Sequence, residues 1–434
     1  MNPLTETSSS SSIDFPEVPI LLKGIPPDSG PLDFPEIRHA QIIAGGKRLL
    51  ALLPQDLHAQ LIPLEANLKD TLKNLLRHLS PGRHLLILAS GDPLFHGIAS
   101  TVLAMANPEH VRIDPAPTAF QTAFARLKLP WSATRFFSVH GTDKILNARA
   151  VLTAPGAVVY GDPHRSASVL AKELVDAFPD AGQREAFLAE DLGLPSENLQ
   201  ADTLKNLSEL PACSGLSMLI LPEQGTGFSP ALALGLPDET YHHQNHMITH
   251  PETRVLVLSK LRLRRGVLWD LGAGSGSVGL EAASLCEALE VHSVEKNPER
   301  CKDILQNIRE AGLSNIHFHS GRMEDLWETL PAPDSVFFGG GGPEALSDLL
   351  PQTFRRLNPG GVLAATAILM ETEQCLNAMP NRLQDLERAE FLTVNIARTE
   401  KLGPSGHMRK AENPVFLAVF HKKMFPGNGE KQHV

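Results

Sequence analysis

Short apolar runs alternate with stretches of helical spacing along almost the whole chain. In the first half, Val18-Pro19-Ile20-Leu21-Leu22, Gln41-Ile42-Ile43-Ala44, Leu85-Leu86-Ile87-Leu88-Ala89, Val111-Arg112-Ile113-Asp114, Ala157-Val158-Val159-Tyr160 and Leu216-Ser217-Met218-Leu219-Ile220-Leu221 read as strands. Gly91-Asp92-Pro93 precedes a helix from about Leu94, and Gly161-Asp162-Pro163 precedes a helix over Ala167–Phe178. Strands alternating with helices indicate α/β architecture. From Pro222 to about Pro237 the chain is rich in Gly and Pro, which marks a linker. Beyond it come a helix over Pro251–Leu261 and strands near Val267, Glu290, Ile316, Ser335, Gly361 and Phe391. Asn413–His421 reads as a last strand, and Pro414 suits its start or an edge. These elements complete a doubly wound sheet. No repeat relates the halves. The expected organisation is a disordered tail at 1–16, an α/β domain at 17–222, a linker at 223–240, a Rossmann-like domain at 241–422 and a tail at 423–434.

The most informative stretch is Val267-Leu268-Trp269-Asp270-Leu271-Gly272-Ala273-Gly274-Ser275-Gly276-Ser277-Val278-Gly279. An apolar run stops at an acid, glycines follow, and a helix begins at about Val278. This is a buried strand feeding a loop whose backbone approaches a ligand closely. Glu290-Val291-His292-Ser293-Val294-Glu295 forms a second strand ending in an acid. Glu295 lies roughly 20 residues past the glycines, where a nucleotide fold places its ribose-hydroxyl acceptor. Gly274–Gly279 matches G-x-G-x-x-G, in which a pyrophosphate sits on the helix N-terminus and further negative charge is unwelcome. Asp270 and the additional Gly272 argue for a different adenosine cofactor. The D-x-G-x-G-x-G arrangement resembles the first motif of Rossmann-like S-adenosylmethionine methyltransferases. S-adenosylmethionine has no phosphates to repel a carboxylate and carries ammonium and sulfonium charges that attract one. Asp270, Gly272, Ala273, Gly274, Ser275, Gly276 and Glu295 are therefore the cofactor-binding candidates of the second domain. A ligand-free turn would require all of them to coincide.

At 434 residues the chain exceeds one ordinary core, in keeping with two domains. Hydrophobic residues at 42% and charged residues at 20% fit a globular protein in water. No apolar run reaches membrane-spanning length. Met1 to Ile13 has neither a basic nor an apolar region and reads as a tail rather than a signal peptide. Cys213, Cys286, Cys301 and Cys375 form no C-x-x-C pair, which suits reduced thiols in the cytoplasm. A formal net charge of −10 opposes nucleic acid as a partner and leaves a small molecule as the expected substrate.

Ser90-Gly91-Asp92-Pro93-Leu94-Phe95-His96-Gly97-Ile98 resembles the S-G-D-P segment of the tetrapyrrole (corrin and porphyrin) methylases. Ala44-Gly45-Gly46-Lys47-Arg48-Leu49 and Ala123–Trp131 are similar to the branch acting on precorrin-6Y. Leu234-Gly235-Leu236-Pro237-Asp238, Trp269–Gly279, Val336–Gly342 and Leu357-Asn358-Pro359-Gly360-Gly361 resemble a decarboxylating methyltransferase domain. Together they resemble the fused methyltransferases of corrin biosynthesis. The resemblance implies a two-lobed first domain and two S-adenosylmethionine-dependent methylations of precorrin-6Y, at C5 and C15. One is accompanied by loss of carbon dioxide from an acetate side chain, giving precorrin-8X. It further implies that Gly91, Asp92, Ile98, Thr118 and Ala119 contact cofactor in the first domain. In the second, Met247-Ile248-Thr249 leads into the cofactor pocket and adds Thr249.

Transfer of a methyl group to an enamine-like meso carbon needs alignment and exclusion of water rather than a strong base. Where amine methyltransferases carry D/N-P-P-Y/F, this chain has Gly339-Gly340-Gly341-Gly342-Pro343. These glycines are the substrate-loop candidates, since they admit a broad macrocycle and expose amides. No catalytic side chain is singled out. Lys401, Arg409 and Lys410, flanking Gly403-Pro404-Ser405-Gly406, are candidates for pairing with substrate carboxylates or for a solvated loop. The stretch Tyr241–His250 sets His242, His246 and His250 at helical spacing, but the chemistry needs no metal and none is expected. One departure stands out. The family opens with G-x-G-P-G after its first strand, whereas this chain has Gly24-Ile25-Pro26-Pro27-Asp28. Proline fixes φ, so this loop must differ in shape. A first domain that carries tetrapyrrole without catalysis therefore remains an alternative. Oligomeric state is left open.

Overall fold

In the computed structural model, residues 20–424 are described apart from 65–66, 80–81, 96, 140–144, 214, 224–232, 245–247, 327 and 403–405. The expected tail at 1–16, residues 224–232 of the expected linker and most of the tail at 423–434 lie outside these residues. Two compact units divide the chain. The first comprises Met1–His140, Pro155–Ala171 and Arg184–Gly225; the second comprises Gly141–Ala154, Lys172–Gln183 and Thr226–Val434.

The first unit holds two sheets. Strands β1 (Ile20–Ile25), β2 (Ile42–Gly45), β3 (Gln60–Pro63), β4 (Leu85–Ser90) and β5 (Val111–Asp114) form a parallel sheet of order β3-β2-β4-β1-β5. Its central strands bury apolar residues on both faces because both faces are covered. Leu21 and Leu86 enter one core, and Leu22 and Ile87 another. Strands β6 (Thr134–Ser138), β7 (Gly156–Tyr160), β8 (Glu185–Glu190), β9 (Asn198–Thr203) and β10 (Ser217–Leu221) form a mixed sheet of order β6-β7-β10-β8-β9. The hydrophobic pattern did not predict β3, β6, β8 or β9. β3, β6 and β9 are edge strands with little buried surface, and the buried run of β8 is short and alanine-rich. The helix expected from Leu94 begins only at Ala99. Asp92 Oδ1 first accepts the Leu94 N–H at 2.8 Å, forming a turn.

The second unit is built on β11 (Gly266–Leu271), β12 (Leu289–Glu295), β13 (Ile316–Ser320), β14 (Ser335–Phe338), β15 (Val362–Ala367), β16 (Leu386–Val394) and β19 (Val415–Lys422). Their order is β13-β12-β11-β14-β15-β19-β16. β19 runs antiparallel to both neighbours, and the β13-to-β15 portion is parallel. Successive β11 residues feed opposite cores. Leu268 packs with helices Pro251–Leu261, Ser277–Leu285 and Pro298–Ala311, while Trp269 and Leu271 pack with Pro343–Arg356 and Met370–Ala378. An exposed hairpin, β17 (Ala397–Leu402) with β18 (Gly406–Ala411), follows β16. No helix among the described residues is long and apolar enough to cross a membrane.

Candidate cofactor and substrate sites

The strand order of the second unit reverses between β11 and β14. Open α/β sheets bind ligands outside the carboxyl ends of the strands at such a switch point. There β11 delivers Asp270, followed by Gly272, Gly274 and Gly276 with φ of +68°, +58° and +77°. All three lie in the left-handed region, where a side chain is strained. Asp270 is 1% exposed. Its Oδ2 accepts the Gly279 N–H at 3.1 Å, tying the strand to the first turn of helix Ser277–Leu285. Its Oδ1 is buried with no hydrogen-bond partner among the described residues. Burial, and secondarily the nearby Glu295 charge, push the Asp270 carboxyl up to about 7.

Glu295 ends β12 and is almost fully buried. It accepts three backbone N–H groups: Gly274 at 2.9 Å, Lys296 at 2.9 Å and Asn297 at 2.8 Å. Gly339–Gly342 follows β14. Gly339 donates its N–H to Leu271 O at 3.0 Å, and a Cβ on Gly272 would lie 3.4 Å from Gly340 N, so the two glycine loops touch. Gly342 has open space around it. The packing of the protein itself does not demand glycine at this exposed position.

Thr249 lies two residues before helix Pro251–Leu261, and its carbonyl accepts a hydrogen bond from Arg254 Nη1 at 2.7 Å. Arg254 is fully buried. It also reaches Glu281 at 2.9 Å, Asp238 at 3.2 Å and the Leu236 carbonyl. Glu281 in turn accepts the N–H groups of Gly235 and Leu236 at 2.8 and 3.0 Å. Buried Asn307 of helix Pro298–Ala311 donates to Ser275 O at 2.8 Å and His242 O at 2.9 Å, and accepts the His242 N–H at 2.8 Å. It thus bolts the glycine loop to the Tyr241–His243 segment. Sequence reasoning singled out neither Asn307 nor the Arg254–Glu281 pair.

The hairpin separates its three basic candidates. Thr399 pairs with Arg409 and Lys401 with His407, so Lys401 and Arg409 share one face. Lys410, opposite Arg398, lies on the other face, where it meets Glu400 at 3.2 Å. Arg398 makes a bidentate pair with Glu252 at 2.9 Å, anchoring the hairpin at the start of helix Pro251–Leu261. Gly403–Ser405 lies outside the described residues.

In the first unit, Gly91 follows β4 with φ +68°. A Cβ there would lie 2.9 Å from Thr118 Cα, and one on Gly24 would lie 2.3 Å from Gly91 O. Gly24, Gly91 and Thr118 therefore share one crowded point. Thr118 caps helix Ala119–Leu127: its N–H donates to Gln121 Oε1 at 2.8 Å and its Oγ accepts the Gln121 N–H. Ile98 and Ala119 are partly buried against separate cores. The Pro26-Pro27-Asp28 turn borders a cleft of about 410 Å³ lined also by Pro117, Gln121 and Arg126. Arg126 pairs with Glu197 and stands 3.8 Å from Asp28.

His242 pairs with Glu310 at 3.0 Å and His250 with Asp238 at 2.5 Å, while His246 lies outside the described residues. Among the described residues no group of three or more His, Cys, Asp or Glu is arranged to hold a metal.

The family model described as "Precorrin methyltransferase domain" matches residues 239–421, and "Tetrapyrrole (Corrin/Porphyrin) Methylases" matches residues 36–208. The chain is 30% identical over 381 residues to a precorrin-6Y C(5,15)-methyltransferase (decarboxylating) of Sinorhizobium sp, spanning 86% of this chain and 87% of that protein. It is 28% identical over 361 residues to the protein of the same name from Mycobacterium tuberculosis, spanning 80% and 86%. A cobalt-precorrin-6B C(15)-methyltransferase (decarboxylating) of Salmonella typhimurium is 33% identical over 183 residues, spanning 42% of this chain and 92% of that protein.

Proposed function

Because the chain belongs to the precorrin-6Y C5,15-methyltransferase (decarboxylating) family, we propose that it methylates precorrin-6Y twice, at C5 and C15, and removes one acetate carboxyl to give precorrin-8X. It is a methyltransferase of cobalamin biosynthesis. We assign residues 17–222 to a tetrapyrrole methylase domain and 241–422 to the decarboxylating domain, with S-adenosylmethionine as cofactor of both. Two findings support the division: the precorrin methyltransferase match falls on 239–421, and the Salmonella relative, matched by only 42% of this chain, is named for C15 methylation with decarboxylation.

The observation that carries the reading is the arrangement of Asp270 and the glycines at the β11–β14 switch point. A buried carboxylate oxygen without an internal partner, beside three left-handed glycines, fits a cationic adenosine cofactor. Asp270 would meet the cofactor's ammonium, Glu295 its ribose and Thr249 the pocket wall. When bound, the cofactor supplies an electrophilic methyl group on sulfur. The chain's own residues orient and exclude water. The Gly272–Gly340 contact fixes the two loops edge to edge, and the side-chain-free Gly339–Gly342 loop lets a wide ring come close. Lys401 and Arg409, sharing one hairpin face, are suited to rim carboxylates, and Lys410 on the opposite face is not.

Incubating the full chain with precorrin-6Y and labelled S-adenosylmethionine, then weighing the product, tests this. Gain of two methyl groups with loss of one carbon dioxide is expected. Titration with S-adenosylhomocysteine should find two sites per chain, and one in Asp270→Ala. A single site in the unaltered chain, lost in that variant, would instead favour a first unit that carries the tetrapyrrole without methylating it. The Asp28–Arg126–Glu197 cluster, which engages the charged groups at that cleft with one another, is the observation on that side.

A further inference from the structure

Three consecutive large aliphatic residues stand exposed at the carboxyl edge of the second unit's sheet. Ile368, Leu369 and Met370 are 63%, 60% and 73% exposed, and none belongs to a buried core. Scattered exposed aliphatics are ordinary, but a contiguous group marks an interaction surface. Its place at this edge follows from the strands it adjoins. Phe338, the end of β14, pairs with Ala365, so the Gly339–Gly342 loop leaves β14 and Ile368 leaves β15 at the same carboxyl edge. Cys375 Sγ, on the helix that Met370 begins, donates to Pro343 O at 3.4 Å, holding this helix against the end of the glycine loop. Ala367 also pairs with Phe416, so the β17–β18 hairpin rises from the same edge.

We propose that Ile368, Leu369 and Met370 form the platform on which one face of the tetrapyrrole ring lies while the second unit acts on it, and that they set its preference for a macrocycle. The inference rests on the function proposed above. A reduced tetrapyrrole combines a broad apolar face with carboxylates around its rim. The edge presents matching parts in sequence: an adaptable aliphatic platform, a loop of bare backbone beside the cofactor glycines, and the Lys401–Arg409 hairpin face. Methionine is suited to an irregular, puckered ring because its side chain is flexible and polarisable. A small amine or hydroxyl substrate would leave the platform uncovered.

The test uses the full chain carrying Ile368→Ser, Leu369→Ser and Met370→Gln together. These positions are exposed, and Ser at the position preceding the helix suits an N-cap, so folding is preserved. KM for precorrin-6Y is expected to rise roughly tenfold or more while S-adenosylhomocysteine affinity stays within about twofold, as loss of apolar burial confined to substrate requires. Unchanged KM overturns the proposal. Unchanged KM with an altered sedimentation coefficient means that the patch joins copies of the chain instead. Binding of uroporphyrin, a stable polycarboxylated macrocycle, is measured in parallel. If the unaltered chain fails to turn over precorrin-6Y yet loses uroporphyrin binding in the variant, the substrate assignment fails and the platform stands. If it neither turns over precorrin-6Y nor binds uroporphyrin, both fail.

Discussion

Cofactor binding to the second unit should release a proton below neutral pH, with Asp270 as its source. The carboxyl is pushed up from 3.8 to about 7, mainly because it is buried. In the cofactor-free fold at pH 6 only about one-tenth of it is ionised. A ligand whose ammonium takes the ionised form must first remove the proton. Its affinity should therefore fall about tenfold, roughly 1.4 kcal/mol, for each pH unit below 7 and level off above it. The same shift has a consequence for stability. A carboxyl with a raised folded-state pKa contributes fully below 3.8 and loses that contribution as pH rises through about 7. The loss has an upper bound of about 4 kcal/mol, from about 3 units at 1.36 kcal/mol each. Asp270→Asn keeps an acceptor for the Gly279 N–H and removes the charge. At pH 8 it should be more stable than the unaltered chain without cofactor, yet bind S-adenosylhomocysteine weakly and without pH dependence. Calorimetric titration from pH 5.5 to 7.5 in two buffers of different ionisation enthalpy, with urea unfolding at pH 8, reads all three quantities. A flat affinity profile, or an Asn variant that keeps the slope, would refute the reasoning.

Asn307→Ala removes every side-chain bond between the Ser275 carbonyl and the His242 backbone. It should weaken S-adenosylhomocysteine binding about tenfold and lower stability by roughly 1–3 kcal/mol, with little change in KM for precorrin-6Y. His292 is buried in a stack with His317 and His319. Burial first, then its two neighbours, hold it down at about 4. Its stabilising contribution is present above 6.5 and lost as pH falls toward 4. His292→Phe should flatten the acid limb of a urea-midpoint profile by up to about 3 kcal/mol. Charge reversal at Lys401 and Arg409 should raise KM for precorrin-6Y more than tenfold, whereas Lys410→Glu should change it by less than about threefold, since its pair with Glu400 is exposed and weak.

The second unit's centre was legible because its physics is local. A strand buried on both faces must be apolar, and a chain that reverses beside a ligand needs glycine, so β11 and its loop stand out. Helix Pro251–Leu261 matches its expected bounds because proline suits a first turn. The edges were not legible. β3, β9 and the β17–β18 hairpin bury little, so no alternation betrays them. Sequence proximity grouped Lys401, Arg409 and Lys410, but side chains alternate faces along a strand, and only the register parts Lys410 from the others. Arg254 did leave a signal. It falls three, four and seven residues before Val257, Leu258 and Leu261, all buried, so a charge occupies the apolar face of its helix. Glu281 is its counterpart in the next helix, among Val278, Leu280, Ala282 and Ala283. Two opposite charges on two buried faces imply a pair. Removing one partner would cost about 3–5 kcal/mol.

The two units treat comparable groups differently, and that difference bears on whether both bind cofactor. In the second unit Asp270 Oδ1 is buried without a partner among the described residues, and Gly342 lies exposed at the sheet's open edge. In the first unit the polar groups at the crowded Gly24–Gly91–Thr118 point are engaged within the protein. Thr118 is held by Gln121 and Asp92 by the Leu94 N–H, while Glu197 and Asp28 flank Arg126. A ligand entering at the β11–β14 switch point meets in Asp270 an acceptor already desolvated by folding, although Glu295 is held by three backbone N–H groups. A ligand entering the first unit must break internal bonds to gain its own, and hydrogen-bond exchange of that kind nets only about 1 kcal/mol per bond. The proline-bearing turn after β1 adds stiffness where the family has glycines. If both units bind cofactor as proposed, these arrangements predict a stronger site in the second unit than in the first. Below saturation, unequal occupancy is thus expected even where both units catalyse; a saturating cofactor concentration fills the weaker site as well.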